Sequence, residues 1–403
     1  MPSDRGTLPL NLLIVSHPCA SPINQHLYAE VEQATGWNLT LVVPSNWKNE
    51  YGKVIGGGER WPAYRGRLIP VPVRRPGNII LHTYRTRFAA LIREARPDAI
   101  YVHHEPYALA TAQVYWANRR SLRRPIGCYS AQNILKRYPP PFRWTESIVL
   151  RRSRYFCPIS AEVERVFRQK GYAGPSAVLP LGIDPGVYYK RPAGEALKAR
   201  LRQRPDEVLI GYLGRIVQEK GLLTLLRGLA GVTDLPWRLV VVGAGPLEAE
   251  FDALGRTLGL ADRISRIGFV PHEQAPEYLS ALDVLVLPSE TQPNWKEQFG
   301  RVVIEALACG AAVVGSDSGE IPKLIADTGG GLVFPERQPQ ELADRLAALI
   351  RDPALRTRLA ETGRQAVEAR YALPAIARQF AGAVEAAVAA DARSADQRAL
   401  APS

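Results

Sequence analysis

Residues 208–229 read VLIGYLGRIVQEKGLLTLLRGL, and this stretch predicts three successive pieces of structure. Its first six residues form an apolar run without alternation, which is typical of a strand buried on both faces of a parallel sheet. A charged turn, GRIVQEKG, follows, and the leucine-rich run after it is typical of a helix. Strand, loop and helix in this order are the unit from which parallel α/β sheets are built.

Similar apolar runs recur along the chain, with segments of helical periodicity between many of them. The strands predicted in the second half are VLIGYL (208–213), LVVVG (239–243), ISRIGFV (264–270), VLVLP (284–288) and AAVVG (311–315). Those predicted in the first half are LNLLIV (10–15), LTLVV (39–43), LIPVPV (68–73), AIYVH (99–103), IGCYS (126–130), YFCPIS (155–160) and AVLPL (177–181). Helices are predicted over 82–95, 161–170, 338–351, 353–370 and 373–390. The pattern predicts an α/β fold with two Rossmann-like, doubly wound domains.

The domain boundaries follow from length and turn content. With 403 residues the chain is long enough for two hydrophobic cores. The turn-rich segment LPLGIDPG (179–186) separates the two sets of strands, which predicts domains over 1–184 and 185–372. We expect a C-terminal helix over 373–390 that packs back on the N-terminal domain, and a disordered tail over 391–403.

Composition narrows the classes of protein to consider. No run approaches the ~20 apolar residues that a transmembrane helix needs, and the polar start has no leader-like cleavage site, so we expect a cytoplasmic protein. The four cysteines are scattered without zinc-ligand spacing and are interpreted as buried thiols. No Asp-x-Asp pair is present, so the usual carboxylates that hold a nucleotide-bound metal are missing.

The excess of positive over negative charge is confined to the first half of the chain. Residues 1–184 carry 25 Lys and Arg against 12 Asp and Glu, whereas the remainder carries 26 against 27. Arginines cluster in RRSLRR (119–124), LKRYPPPFRW (135–144) and LRRSRYF (150–156), the second interleaved with aromatic residues. This composition favours peripheral contact with an anionic membrane. No nucleic-acid-binding module is visible, and a merely solvated basic face is the alternative.

Two loops after predicted strands have the composition of anion-binding sites. Arg215 lies just after one strand and Lys220 at the start of the next helix, where backbone N–H groups are also available to a diphosphate. The alternative is a solvated, charged turn. In the second loop, Phe299-Gly300 precedes a helix whose first amides, those of Arg301, Val302 and Val303, could hold a phosphate.

Two carboxylates flank the second loop. Glu297 precedes the helix and Glu305 lies within it, so they are expected to meet different parts of a ligand. Carboxylates accept hydrogen bonds from vicinal hydroxyls, so one could hold a sugar and the other a ribose. The alternative makes them ordinary helix charges.

The segment YVHHEP (101–106) suggests a metal site at first sight. Alternation along an extended segment, however, sends the side chains of His103 and His104 in opposite directions. This counts against a joint metal site, and Glu105 with Pro106 is predicted to form the turn before the next helix.

Taken together, these motifs resemble a known family. GRIVQEKG, followed by the E-x7-E spacing of EQFGRVVIEALACG (297–310), is similar to the signature of the retaining family-4 glycosyltransferases of group 1. VVGAGPLE (241–248), IGFVPHE (267–273) and LDVLVLPSE (282–290) resemble the motifs between them, and YVHHEPYAL, PISAEV and LPLGIDPGVY extend the resemblance to the first half. The resemblance implies the GT-B fold, in which two Rossmann-like domains face each other across a cleft.

The resemblance also implies an activity. It predicts transfer of a hexose from a UDP- or GDP-sugar to a glycan or polyprenyl- or lipid-linked acceptor, with retention and without a metal or other cofactor, in cell-surface polysaccharide or glycolipid biosynthesis. By matching positions, Arg215 and Lys220 would hold the diphosphate, and Glu297 and His104 would contact the donor hexose. No nucleic acid is expected as a partner.

The same resemblance assigns binding of the nucleotide part of the donor. Glu305 would bind the ribose, and the IGFVP loop would flank the base. The implied set is Gly214, Ile267, Phe269, Phe299, Gly300, Arg301, Val302, Val303 and Glu305. One departure is the loop SHPCASPINQHLY (16–28), where many members have two glycines; here Asn24 or Gln25 could substitute.

Two other functions are compatible with parts of the sequence. A sugar-nucleotide epimerase could use the same scaffold. An NAD-dependent oxidoreductase is suggested by the G-x-G of VVGAGPLE, but the third glycine and the following acidic residue are missing.

Overall fold

The computed structural model describes residues 9–48, 54–56 and 58–400, and the chain divides into two compact units. The first unit contains the residues up to Pro180 together with those from Leu373 onward. The second unit is the continuous segment Leu181–Ala372. The second unit therefore lies as one insert within the sequence of the first.

The first unit is built on a six-stranded parallel sheet. Its strands and those of two short antiparallel pairs are β1 (Asn11–Ser16), β2 (Asn38–Pro44), β3 (Trp47–Lys48), β4 (Val54–Ile55), β5 (Arg67–Val71), β6 (Val73–Arg74), β7 (Thr83–Tyr84), β8 (Ala99–His103), β9 (Ile126–Ser130) and β10 (Tyr155–Pro158). The sheet order is β10-β9-β8-β1-β2-β5. Counting only the strands of this sheet, the order is 3-2-1-4-5-6, which is that of the Rossmann fold.

Helices cover this sheet and bury its apolar strands. The helices are α1 (His26–Thr35), α2 (Phe88–Ala95), α3 (Leu109–Arg119), α4 (Phe142–Arg152) and α5 (Ala161–Gln169). Leu13, Ile14 and Val15 of β1 have no exposed surface. The start of α5 is fixed by Ser160, whose Oγ accepts a hydrogen bond from the Val163 N–H at 3.3 Å.

The second unit repeats the same topology. Its strands are β11 (Val208–Leu213), β12 (Trp237–Val242), β13 (Ile264–Gly268), β14 (Val284–Leu287), β15 (Ala312–Ser316) and β16 (Gly331–Phe334). They form one parallel sheet in the order β13-β12-β11-β14-β15-β16. In each unit the strand order therefore reverses between two central neighbours, β1 and β8 in the first and β11 and β14 in the second.

The helices of the second unit enclose a core of branched apolar side chains. They are α6 (Pro192–Leu201), α7 (Leu222–Ala230), α8 (Glu248–Thr257), α9 (Ala275–Ala281), α10 (Arg301–Ala308), α11 (Ile321–Thr328), α12 (Pro339–Arg351) and α13 (Pro353–Arg370). Buried leucines of α7 and α12 pack with β11 and β12 in this core. This core explains why the run after Gly221 is so rich in leucine.

The last helix, α14 (Leu373–Leu400), belongs to the first unit and packs along α1. Its residue Phe380 is fully buried, with ring centroids 6.2 Å from Tyr28 and 4.8 Å from Tyr101. Ile376, Phe380, Val384 and Ala387 follow helical spacing on the buried side. The helix thus completes the core of a unit whose sheet lies far earlier in the sequence.

The structure corrects several sequence predictions. Residues 391–403 were predicted to be disordered, but residues 391–400 continue α14. This alanine-rich stretch consists largely of residues with high helix propensity. Residues 401–403 lie outside the described residues. AVLPL (177–181) is not a strand, although Ala177 N–H donates to Phe156 O at 3.0 Å beside β10. Residues 82–87 precede α2 and include β7, and the sequence analysis missed β16.

Among the described residues, none of the helices combines the length and the apolar composition required to cross a membrane.

Candidate functional site

The two loops predicted to bind anions start at neighbouring strands of the second sheet. One loop follows β11 and carries Lys220, and the other follows β14 and carries Glu297. Because the strand order reverses between β11 and β14, the carboxyl ends of these strands form the crevice in which open α/β sheets bind ligands.

Lys220 and Glu297 meet in an ion pair at this crevice. Lys220 Nζ lies 2.5 Å from Glu297 Oε2, and the two side chains are only 17% and 10% exposed. The same carboxylate oxygen accepts a hydrogen bond from Ser289 Oγ at 2.8 Å. Lys220 Nζ also lies 5.0 Å from the centroid of the Trp295 ring, within the range of a cation–π contact. The cation is therefore held by two neighbours, Glu297 and Trp295, and Ser289 in turn positions the carboxylate.

Close backbone contact brings the two loops together. Gly221 has φ 65°, and a Cβ atom there would lie 1.9 Å from the carbonyl oxygen of Pro288. The Glu290 N–H donates to the Glu219 carbonyl at 2.8 Å, which ties the loops at a second point. Glycine is therefore required at position 221 both for its left-handed backbone and for this approach.

Arg215, the other predicted cation, is held differently. Its side chain is 52% exposed, and its Nη2 lies 3.8 Å from Glu219 Oε1. Exposed ion pairs of this length contribute little to stability. Arg215 is thus a solvent-facing cation beside the more rigid Lys220.

The start of α10 offers fewer amides than the sequence analysis predicted. Gly300 has φ 80° and caps the helix, and the Val303 N–H already donates to Gly300 O at 2.9 Å. The amides of Arg301 and Val302 lie in the first turn, where no intrahelical acceptor exists. The Phe299 side chain is 3% exposed and packs near Tyr371, so Phe299 supports the loop from the core.

Glu305 lies one turn into α10 and is also paired. Its Oε1 is 2.9 Å from Arg301 Nε, and the Glu305 residue is 5% exposed. On the other side of the sheet, Ile267 lies at the end of β13 and is half-buried, whereas Phe269 just beyond it is 68% exposed. The predicted ribose contact therefore lies in α10, and the predicted base contacts lie at the end of β13.

The first sheet carries a second polar cluster, at its own reversal point between β1 and β8. Ser16 and His103 are register partners, so His17 and His104 leave the two strands side by side. His103 Nδ1 is 2.9 Å from Tyr28 Oη, and its ring packs against Tyr129. His104 turns to the opposite side, as the alternation of an extended segment predicts.

His104 lies against two histidines that the sequence analysis did not identify. The His104 ring centroid is 4.9 Å from that of His17 and 5.1 Å from that of His82. Tyr84 Oη lies 3.2 Å from His104 Nε2, and Trp47 packs on both His17 and His82. Position directly after β1 could have indicated His17, but no sequence signal marks His82.

Hydrogen bonds determine which ring nitrogens carry protons. His104 Nε2 accepts a bond from the backbone N–H of His17 at 2.9 Å, so the proton of the neutral His104 ring is on Nδ1. His82 Nδ1 lies 3.0 Å from the carbonyl oxygen of Asn78 and donates to it, which leaves Nε2 as an acceptor. Among the described residues, His17 Nδ1, His82 Nε2 and His104 Nδ1 are buried without a hydrogen-bond partner.

These assignments bear on whether the histidine cluster could hold a metal. One nitrogen from each ring lies within 4.8 Å of the others, which is a spacing that ring rotations could close around an ion. A metal needs a lone pair from each ring, however, and the available nitrogen of His104 carries a proton. His104 Nδ1–H offers a donor and His82 Nε2 an acceptor, a combination that matches a hydroxyl group of a polar ligand.

Burial keeps the histidine cluster neutral. It lowers the pKa of His82 to about 4 and, together with the neighbouring His17, holds the pKa of His104 well below its ordinary value of 6.5. Burial also lowers the pKa of His17, and repulsion from a protonated His82 would lower it further. At neutral pH the cluster therefore acts through hydrogen bonds and not through charge.

Glu105, next to His104, connects two strand ends. Its Oε2 accepts a bond from Ser130 Oγ at 2.5 Å, and its Oε1 accepts one from the Ala131 N–H at 2.8 Å. Burial raises the pKa of the Glu105 carboxyl to about 7. The predicted turn residue thus holds the end of β8 to the end of β9.

The glycine-free loop after β1 is stabilised from within. Gln25 is fully buried, and its side chain bonds Cys19 O, Glu59 O and the Trp61 N–H at 2.9 to 3.0 Å. Asn24 Nδ2 donates to Pro18 O at 2.8 Å. Gln25 therefore stabilises the loop itself, and its suggested substitution for the missing glycines as a ligand contact stays a prediction.

Comparison with known proteins identifies the family of this chain. Residues 194–366 match the family model Glycosyl transferases group 1, and residues 27–187 match Glycosyltransferase Family 4. The chain belongs to the group 1, family-4 glycosyltransferases. The Lys220–Glu297 pair lies within the first match, and the histidines His82 and His104 lie within the second.

Curated members of the family match only in part. Alpha-D-kanosaminyltransferase of Streptomyces kanamyceticus is 30% identical over 248 residues, which cover 60% of this chain and 63% of that protein. A GDP-mannose-dependent alpha-(1-6)-phosphatidylinositol monomannoside mannosyltransferase of Mycobacterium tuberculosis is 30% identical over 218 residues, covering 52% and 56%. The chain spans about half of the length of the curated relatives it matches, from 44% to 63% among the first of them.

Solved structures share the fold over almost the whole chain. A glycosyltransferase from Rickettsia africae superposes with a TM-score of 0.73 at 15% identity, covering 95% of this chain and 99% of its own. Sucrose-phosphate synthase from Thermosynechococcus elongatus gives 0.69 at 22% identity, covering 94% and 99%. The group 1 chain therefore has the GT-B fold, with two Rossmann-like parallel sheets.

Proposed function

We propose that this chain transfers a hexose from a UDP- or GDP-sugar to a glycan or lipid-linked acceptor. The observation that carries the proposal is the Lys220–Glu297 pair, buried where the second sheet reverses its strand order, in a member of the group 1 family. A cation held at that crevice is suited to a diphosphate, and a carboxylate beside it is suited to sugar hydroxyls.

In this proposal Lys220 binds the diphosphate and stabilises the negative charge that grows on it as the sugar departs. Electrostatic stabilisation by a pre-positioned group is usually the largest contribution to such a step. Arg215, exposed and weakly paired, would add a second cation to the same leaving group. Glu297 keeps one oxygen on Lys220 and Ser289 and directs its other oxygen to the hexose.

The nucleotide would lie along the neighbouring loops. The amides of Arg301 and Val302 contact a phosphate, Glu305 binds the ribose, and Phe269 flanks the base. Glu305 is now paired with Arg301 at 2.9 Å, so ribose binding requires it to share or exchange this partner. His104 is assigned to the donor hexose by the family resemblance, and its Nδ1–H is a suitable donor to a hydroxyl.

We infer transfer with retention and without a metal. The departing phosphate oxygen takes the proton of the acceptor hydroxyl on the same face from which the nucleotide leaves, so the new glycosidic bond keeps the anomeric configuration of the donor. The mannosyltransferase relative, whose name specifies a phosphatidylinositol monomannoside acceptor, supports a lipid-linked acceptor here. Such an acceptor would place the enzyme in cell-surface polysaccharide or glycolipid synthesis, with peripheral contact at the inner face of the cytoplasmic membrane.

The test is a screen of UDP- and GDP-sugars for hydrolysis and transfer by mass spectrometry. Lys220→Ala and Glu297→Ala should each lower the rate with the active donor by about 10²–10³-fold, the size of effect seen when one pre-positioned electrostatic group is removed. The matched control is Lys323→Ala on α11, where the lysine is half exposed and pairs with Asp327 one turn away. Near-full activity of either site variant would contradict the donor assignment.

Two further measurements separate the finer parts of the proposal. An NMR spectrum of the product gives the anomeric configuration, and inversion would contradict retention. Activity that EDTA abolishes and a divalent metal restores would contradict metal independence. The second candidate, a sugar-nucleotide epimerase, predicts free nucleotide with an epimerised sugar and no transfer to any acceptor.

A further inference from the structure

The segment 116–148 of the first unit, which includes parts of α3 and α4, exposes an unusual set of apolar side chains. Five large hydrophobic residues between positions 116 and 148 are more than a third exposed: Trp116, Leu122, Leu135, Trp144 and Ile148, the two tryptophans at 54% and 62%. Only five others of this kind are found in all the described residues. A concentration of exposed apolar and tryptophan side chains marks an interaction surface.

An apolar cavity of about 510 Å³ opens between these two helices. Leu109, Ala112 and Trp116 line it from α3, and Ile148 and Val149 line it from α4. Arg119 and Arg152 also line this cavity. Its walls are those of a site for a hydrocarbon chain.

A second cavity, of about 440 Å³, adjoins the first and is basic. It is lined by Trp116, Arg119, Arg120, Ser121 and Arg123, and so shares Trp116 and Arg119 with the apolar cavity. The Arg120 guanidinium lies 3.7 Å from the Trp116 ring centroid, which fixes it beside the shared wall.

The charges of these cavities are unbalanced. Neither cavity is lined by an acidic side chain among the described residues. The single acid of α3 and α4, Glu146, faces away into an ion pair with Lys170 at 2.6 Å. Arg119, Arg120 and Arg123 are exposed and lack an ion-pair partner in the part of the chain that the structure describes. Their charge complement must come from outside the chain.

We propose that these two cavities form a binding site for an anionic phospholipid of a membrane surface. The acyl chain occupies the apolar cavity, the phosphate lies in the basic cavity, and Trp116 and Trp144 lie at the level of the headgroups. An apolar and a cationic cavity that share a wall require a ligand with a tail and an anionic head, which a free phosphate lacks. The site gives a definite location to the membrane contact proposed above, on which it rests, but it is independent of the donor assignment.

The test uses the full chain and vesicles at low salt. We expect it to sediment with vesicles of phosphatidylcholine and phosphatidylglycerol and not with phosphatidylcholine alone. Each arginine near an anionic surface contributes about fivefold in affinity, so R119Q/R120Q/R123Q should weaken binding by roughly 100-fold. Ile148→Glu should weaken it without removing an arginine, because it places a charge at the apolar cavity.

A matched variant controls for net charge. R65Q/R74Q/R93Q removes three exposed arginines from the same unit but outside the two cavities, and should bind the vesicles nearly as wild type. An equal loss in this control would mean that only the net charge of the chain matters and would overturn the proposal. So would a wild-type chain that ignores the anionic vesicles.

Contact with the acyl chain has its own readout. Lipids brominated on their acyl chains should quench tryptophan fluorescence of the wild type, and Trp116→Phe should lose a large part of that quenching. Vesicle binding without such quenching would overturn the acyl-chain part. Turnover of a nucleotide sugar should be unchanged in R119Q/R120Q/R123Q, so a failed donor assay with normal vesicle binding would count against the proposed function alone.

Discussion

Acidification is expected to destabilise the first unit through His82. Burial lowers the pKa of this ring to about 4 from its ordinary 6.5, and the rings of His17 and His104 face it at 5.4 and 5.1 Å. Below pH 6.5 the unfolded chain binds a proton at His82 more readily than the folded chain does. Between pH 7.5 and pH 5.0 the wild type should lose about 2 kcal/mol of unfolding free energy at this residue alone.

The perturbation that isolates this effect is His82→Asn. Its amide can keep the hydrogen bond that His82 Nδ1 donates to Asn78 O, but it does not titrate. Native-state hydrogen exchange of peptides from β1 and β8, corrected for the intrinsic pH dependence of exchange, gives the opening free energy of this unit at both pH values. The wild type should lose about 2 kcal/mol more than the variant. Equal losses in the two proteins would refute the reasoning.

Three other changes have defined outcomes. Burial raises the pKa of the Glu105 carboxyl to about 7, so its contribution to the free energy of unfolding is fully present below pH 4.5 and is lost as pH rises through about 7. In urea unfolding, the free energy of unfolding of Glu105→Gln should therefore rise by about 2 kcal/mol relative to that of the wild type between pH 5.0 and 7.5. Phe380→Ala should cost about 3–5 kcal/mol in the same assay, since the ring is fully buried between α14 and the sheet; a loss below 1 kcal/mol would contradict this. Gly221→Ala should weaken nucleotide binding in calorimetry, because the new Cβ meets Pro288 O at 1.9 Å, whereas Gly382→Ala, where a Cβ meets nothing within 4 Å, should not.

The second unit was the easier half to predict from sequence. Its strands are unbroken apolar runs, and the residues that meet at the sheet reversal, Lys220 and Glu297, lie directly on the loops that follow two of them. Parallel topology brings the ends of neighbouring strands together, so position after a strand was sufficient to place both residues at one crevice. Their pairing at 2.5 Å, and the use of Val303's amide within the helix turn, depend on atomic positions that no motif encodes.

The first unit was harder because its polar cluster is assembled from distant segments. His17 and His104 follow the register pair Ser16–His103 and meet although they are 87 positions apart, and His82 comes from a segment without regular periodicity. The helix predicted over 82–95 included this segment, so the histidine was assigned to the wrong kind of structure. Local propensity could not identify a contact that the order of the strands creates.

The position of α14 has a consequence for synthesis on the ribosome. The second unit is one uninterrupted segment, and its two ends are joined by the hydrogen bond from Ile183 N–H to Tyr371 O at 2.8 Å. All of its residues leave the exit tunnel before the helix that carries Phe380. The amino-terminal sheet, made first, therefore waits with an open hydrophobic core until the last part of the chain emerges, and the unit that starts later can mature earlier.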